Sequence, residues 1–224
     1  MATTWTLLEP KLQRLLSDTA GSLYDSTLRI DAINAALAIY SGHTAVENTQ
    51  ALAGDGSVTS WSLPSDYLEL GAVWCTKEAE WLEAVSFIPG EEWSDQTPKS
   101  GSTPRGYYLW PQETLNVTWL IASGDGLTLY YYGYWGEVTT GSSSIGVPQW
   151  AREALIYYAA AYCLAPGGVQ AATIGQYDTR RDSGNPEHNP VFEQAKYYME
   201  MYQTTIGRYA VQQRDMMYRI GRGL

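Results

Sequence analysis

Apolar positions recur every three to four residues over the first forty residues. After Trp5, the side chains of Leu8, Leu12, Leu15 and Leu16 keep close to one face, and Pro10 suits a first helical turn. A second helix is predicted next: Asp25 or Ser26 caps it, Ile30, Ile33, Leu37 and Tyr40 form one stripe, and Gly42 ends it. From about Thr44 to Gly146 the period drops from about 3.6 to about 2, so this stretch reads as strands among Gly, Ser and Thr turns. Seven of the nine Trp residues fall there. Strands are predicted at Ser57 to Leu63, Glu69 to Thr76 and Tyr107 to Trp110. Thr114 to Ile121 and Leu127 to Tyr134 flank Ser123-Gly124-Asp125-Gly126, whose glycines accept the positive φ of tight turns, and the pair reads as an antiparallel hairpin. Pro89 to Arg105 is polar and rich in turn residues, a long loop with one helical turn around Glu91 to Trp93.

Helical spacing returns at Val147. Pro148 takes an early position, Trp150, Ala154, Tyr158 and Tyr162 repeat every four residues, and Ala165-Pro166-Gly167-Gly168 stops the run. After a polar segment, Gln176 to Asn189, a last helix starts at Asn189-Pro190 and buries Phe192, Ala195, Tyr198 or Met199, and Tyr202. The pattern predicts an α+β chain: a helical bundle with an antiparallel β insertion between its second and third long helices, plus an extended C-terminal tail. Its boundaries are 1–43 and 147–206 for the helical parts, 44–146 for the insertion and 207–224 for the tail. An insertion of this kind requires its two ends, near 44 and 146, to lie close together.

Charge qualifies this picture. The 224 residues carry 24 Asp and Glu against 14 Lys and Arg, a net −10, and 45% are apolar, enough to fold as one domain or two small ones. Arg208, Arg214, Arg219 and Arg222 face only Asp215 in the last seventeen residues, so the tail is +3 and the remainder −13. An acidic body does not wrap nucleic acid, which demands phosphate neutralisation. No apolar run approaches the ~20 residues of a membrane span, and no leader pattern opens the chain, so a cytosolic protein is expected. Cys75 and Cys163 are isolated and read as reduced core side chains.

Candidate chemistry is sparse. His43 and His188 are the only histidines, and neither sits beside a recognisable nucleophile elbow. Two distant cysteines and two distant histidines lack zinc spacing, and Gly54-Asp55-Gly56 and Gly124-Asp125-Gly126 lack the flanking strand and helix of a phosphate cradle. No catalytic, metal or cofactor-binding residue is assigned. The acids Glu78, Glu80, Glu83, Glu91 and Glu92 beside Trp81 and Trp93 leave one alternative, a carbohydrate-binding or glycoside-hydrolysing aromatic-rich β module. The 18 Tyr and 9 Trp against 2 Phe suit surfaces that are buried against a partner. Trp150, Tyr157, Tyr158 and Tyr162 spread over several faces of one helix, which predicts a subunit interface there.

The order of several motifs resembles the head-to-tail adaptor (connector, or head-completion) proteins of tailed bacteriophages. Leu63-Pro64-Ser65-Asp66-Tyr67 is similar to their strand exit. Gly106-Tyr107-Tyr108-Leu109-Trp110-Pro111 and Leu127 to Gly133 resemble their strand pair with an aromatic doublet. Val147-Pro148-Gln149-Trp150 before an alanine-rich helix resembles the element that follows. The resemblance covers about residues 23 to 205. It implies a structural, non-enzymatic virion protein at the neck, assembled in the host cytoplasm: a ring, usually of twelve copies, below the portal protein and above a tail, stopper or nozzle protein, with genomic DNA passing through without sequence-specific binding. It implies no cofactor and no membrane. By position, the tail residues Arg208, Tyr209, Arg214, Met216, Met217, Tyr218, Arg219 and Arg222 are its candidate portal-binding segment.

Overall fold

A computed structural model describes residues 3–57, 59–85, 106–110, 113–117, 121–171 and 190–209, with the side chains of 3, 165–171, 190, 192 and 209 outside that description. The elements run β1 (Thr3–Thr4), α1 (Trp5–Leu15), α2 (Ser26–His43), β2 (Val46–Ala53), β3 (Ser60–Ser62), β4 (Tyr67–Cys75), β5 (Glu80–Trp81) and β6 (Glu83–Ala84). There follow β7 (Gly106–Leu109), β8 (Thr114–Val117), β9 (Gly126–Gly133), β10 (Ser144–Ile145), α3 (Ala151–Ala171) and α4 (Pro190–Tyr209). Helices and mostly antiparallel sheets make a mixed α+β chain. Two compact units divide it: residues up to Thr44 with those from Trp135 on, and Ala45–Tyr134.

The first unit is built on α1, α2, α3 and α4, which share one buried core. Trp5, Leu8 and Leu12 of α1, Ala32, Ile33, Ala36, Leu37 and Tyr40 of α2, and Ala154, Leu155 and Ala159 of α3 are all nearly or wholly excluded from solvent. Asp25 caps α2, its carboxylate accepting from the Leu28 amide at 2.7 Å. Pro10 does not open α1. It sits inside the helix, because the start is set earlier by the buried Trp5 and by the Trp5 and Thr6 amides donating to the Ser143 and Gly141 carbonyls at 3.1 and 3.0 Å. Gly42 likewise lies within α2, which ends on Thr44, whose amide donates to Tyr40. Nor does the Ala165 to Gly168 run stop α3, which continues to Ala171, although Pro166 leaves the Tyr162 carbonyl without its helical donor.

The chain returns to this unit at Trp135, earlier than the boundary at 146 that its turn-rich composition suggests. Hydrogen bonds explain the difference. The Trp135 amide donates to Ser41 Oγ at 3.0 Å and its indole to the Thr44 carbonyl at 2.6 Å. Asn34 grips Val138 through both its amide and its carbonyl, and Ser144 and Ile145 of β10 pair with Thr4 and Thr3.

In the second unit two four-stranded sheets enclose a core of Leu52, Val73, Cys75, Leu115, Leu127, Leu129 and neighbours. One sheet has the order β2-β9-β4-β5 and the other β3-β8-β7-β6, all antiparallel except β6 with β7. Val46 pairs with Gly133, so the strands that lead into and out of the unit are direct neighbours. The expected hairpin of the Thr114 and Leu127 runs does not form. The turn is real, with Gly124 at φ 90° and the Asp125 amide donating to Ala122, but it joins strands of different sheets. β9 instead takes the centre of the longer sheet, in register with eight residues of β2 on one side and with β4 on the other. Pro89 to Arg105 and Gln176 to Asn189 lie outside the described residues.

Candidate assembly surface

Three of the four residues assigned to a subunit interface meet partners inside the chain. Trp150, just before α3, presents its ring to Tyr40 of α2, edge to face at 6.0 Å and 69°. Tyr157 stacks on Tyr198 of α4 at 6.1 Å and 21°, and Tyr158 meets Tyr202 edge-on at 5.1 Å. The several apolar faces of α3 therefore answer to α2 and α4. Alanines at 151, 154, 159, 160 and 161, all buried, clear the space that brings these neighbours close. Tyr162 differs: it is 38% exposed and remains the assigned residue with a large face open to a second molecule. Tyr197, at 55% exposure, and Ile39, at 46%, are further exposed apolar groups of this unit that sequence reasoning missed. The Tyr197-Tyr198 doublet carried the signal, since adjacent helical residues point about 100° apart and both cannot face one core.

The tyrosine hydroxyls divide into anchored and unanchored. Tyr198 donates to the Leu15 carbonyl at 3.0 Å and accepts from Gln194, tying α4 to α1. Tyr40 and Tyr202 bury hydroxyls that meet no hydrogen-bond partner among the described residues. Burial, reinforced by the neighbouring Tyr158 and Tyr40, pushes the Tyr202 phenol up to about 12. Burial also raises Tyr40, while the Thr44 hydroxyl offsets this from nearby without reaching the geometry of a formed bond.

Of the residues assigned to portal binding, Arg208 is exposed in the last turn of α4 and Tyr209 closes that helix. Arg214, Met216, Met217, Tyr218, Arg219 and Arg222 lie outside the described residues.

Among the described residues the candidate catalytic groups are not brought together. His43 is exposed at the end of α2 with its ring 6.3 Å from that of Tyr202, and His188 lies outside the described residues. Cys75 and Cys163 are buried and unpaired, and burial pushes the Cys163 thiol up to about 12 against a smaller opposing effect of Arg29, which is the reverse of an activated thiolate. No group of three or more His, Cys, Asp or Glu side chains among the described residues is arranged to hold a metal ion. Glu80 and Glu83 are exposed on two-residue strands. No described helix is long and apolar enough to cross a membrane.

The strand-exit motif has a physical role. Asp66 accepts from Asn48 of β2 at 2.9 Å and from the Tyr131 hydroxyl of β9 at 3.0 Å, while its carbonyl accepts from the Tyr134 amide at 2.7 Å. One residue thus fixes three segments. A Cβ at Gly133 would lie 2.9 to 3.0 Å from Asn48 and Asp66, which is why the aromatic run of β9 ends on glycine. The strand-exit motif therefore does structural work within the second unit.

Comparison with curated proteins finds no match to the chain. A family model described as SU10 adaptor protein matches residues 3–223. That match spans both units, and the chain belongs to the SU10 adaptor protein family, the structural head-to-tail adaptors of tailed bacteriophages.

Proposed function

We propose that copies of this chain form a ring, of twelve subunits, beneath the portal at the capsid vertex, connecting capsid to tail and extending the DNA channel. Family membership across residues 3–223 is the observation that carries this reading. The helical unit supplies the ring contacts, with Tyr162 and Tyr197 among the apolar groups available for a neighbouring copy. The tail from Arg208 reaches the portal, offering Tyr209, Met216, Met217 and Tyr218 as apolar anchors between Arg214, Arg219 and Arg222, which form charge-assisted pairs with carboxylates. A tail, stopper or nozzle protein lies below the ring, and DNA passes through the lumen without sequence-specific contacts.

Electron microscopy of the purified chain with and without portal tests the assembly. The expected result is rotationally symmetric rings on portal; particles in which the chain stays monomeric beside intact portal reject the proposal. Deletion from Tyr209 onward tests the tail. Heads that accept the truncated protein as well as the full chain would show that the clamp lies elsewhere.

A further inference from the structure

The outward face of the β2-β9-β4-β5 sheet carries large aromatic groups where a solvated face would carry small polar ones. Register places Glu47, Tyr132 and Glu69 in one row across β2, β9 and β4, Thr49, Tyr130 and Ala72 in the next, and Thr128, Trp74 and Trp81 beyond. The alternate residues Leu127, Leu129, Tyr131, Val73 and Cys75 are buried in the core, so the rows belong to the other face. Trp74 and Trp81 meet edge to face at 4.9 Å, and Trp81 meets Tyr130 at 5.2 Å. Trp81 is 48% exposed and Tyr130 37%.

Charge indicates what such a face accepts. Residues 45–134 hold twelve of the chain's acidic side chains and three of its basic ones, a net −9 out of the total −10. Glu47 and Glu69 both bear on the Tyr132 phenol, raising its pKa after the larger effect of burial. Exposed aromatic faces beside carboxylates bind guanidinium and ammonium groups through cation–π contacts and charge-assisted hydrogen bonds, and a −9 unit draws cations from a distance. We propose that this sheet face docks a basic, arginine- or lysine-bearing polypeptide segment of a partner protein, with Trp81 and Tyr130 as the aromatic platform and Glu47 and Glu69 as the charged end. The surface is made by residues of the second unit alone, so the proposal does not depend on the ring reading.

The test uses the full chain and a fluorescein-labelled peptide of alternating arginine and glycine, titrated by anisotropy. Trp81→Ala is expected to weaken binding about tenfold and Glu69→Gln about threefold. Glu193→Gln, an exposed acid on α4, serves as the charge control and is expected to leave affinity unchanged. Circular dichroism establishes that each variant folds. Equal weakening by Glu69→Gln and Glu193→Gln with no effect of Trp81→Ala would mean nonspecific attraction and overturn the proposal. So would absence of peptide binding, or Trp81-dependent binding of maltohexaose in its place, which assigns the platform to sugars.

Discussion

At the scale of single residues, the connection between α1 and α2 is held by two charges that hydropathy does not reveal. Arg29 is almost wholly buried, and its guanidinium reaches Glu9 at 2.8 Å and the Tyr24 carbonyl. Removing one partner strands the other charge, so Glu9→Leu is expected to cost about 2 to 3 kcal/mol, at the low side for a buried pair because the Glu9 side chain keeps some exposure. Urea unfolding followed by circular dichroism reads the loss, and the double variant Glu9→Leu with Arg29→Met is expected to recover most of it. Asp18 does similar work with no counter-ion among the described residues: its carboxylate accepts from the Ser22, Leu23 and Tyr24 amides at 2.9, 3.0 and 2.9 Å. The Tyr24 amide first, then those of Ser22 and Leu23, hold this carboxyl below its ordinary value of 3.8, against the opposing effect of burial. A depressed folded pKa contributes stability that is complete above the unfolded value and lost as pH falls through the folded one. The stability gap between the parent and Asp18→Asn is therefore expected to be widest near neutral pH and to shrink below pH 3.8. Parallel urea titrations down the acid range measure it. Neither residue stood out in the sequence, because a buried charge is spelled with the same letter as a solvated one.

At the scale of elements, periodicity located the helices well and their ends poorly. Asp25 acts as the cap its position suggests, but Gly42, Pro10 and Pro166 failed as punctuation because tertiary packing outweighs the roughly 1 to 3 kcal/mol such residues cost a helix interior. The period-2 pattern identified strand residues but not their partners. Partnership depends on which sheet each strand completes, and the Leu127 run finds longer partners in β2 and β4 than in β8. The apolar faces of α3 show the same limit: a helix apolar on several faces states that it is covered, not by whom. Tyr158 and Tyr202 are covered by each other, and there the fit carries a cost in polarity. The Tyr202 hydroxyl is buried without a partner among the described residues, a condition that costs about 1 to 3 kcal/mol. Tyr202→Phe keeps the ring contacts and removes that hydroxyl, so it is expected to raise stability by about 1 kcal/mol, whereas Tyr202→Ala opens a cavity and loses about 3 kcal/mol or more. Thermal unfolding of the two variants separates these outcomes; a Phe variant less stable than the parent would show that the hydroxyl is engaged.

At the scale of the whole molecule, net charge hides a division that bears on the proposed DNA channel. Sequence totals describe an acidic body, yet the sheet unit holds −9, leaving −1 for all residues of the helical unit and tail together, or −4 once the +3 tail from Arg208 is set apart. A channel wall built from the helical unit would therefore repel phosphate weakly, and ease of passage has to come from having few cations to bind it. Arg208, Arg214, Arg219 and Arg222 are the densest cationic run in the chain, and binding of n phosphates gives a salt slope of about −0.9n for duplex DNA. The full chain is expected to bind a labelled duplex only weakly near physiological salt. Truncation from Tyr209, which removes three of those arginines, is expected to make the slope of log K against log salt shallower by about 2 to 3. Anisotropy titrations at several salt concentrations measure both quantities. A slope unchanged by truncation would move the phosphate contacts onto the folded units, where Arg29 is already committed to Glu9 and Lys77 to Asp125, so the residual binding would have to come from the few other cations of the body.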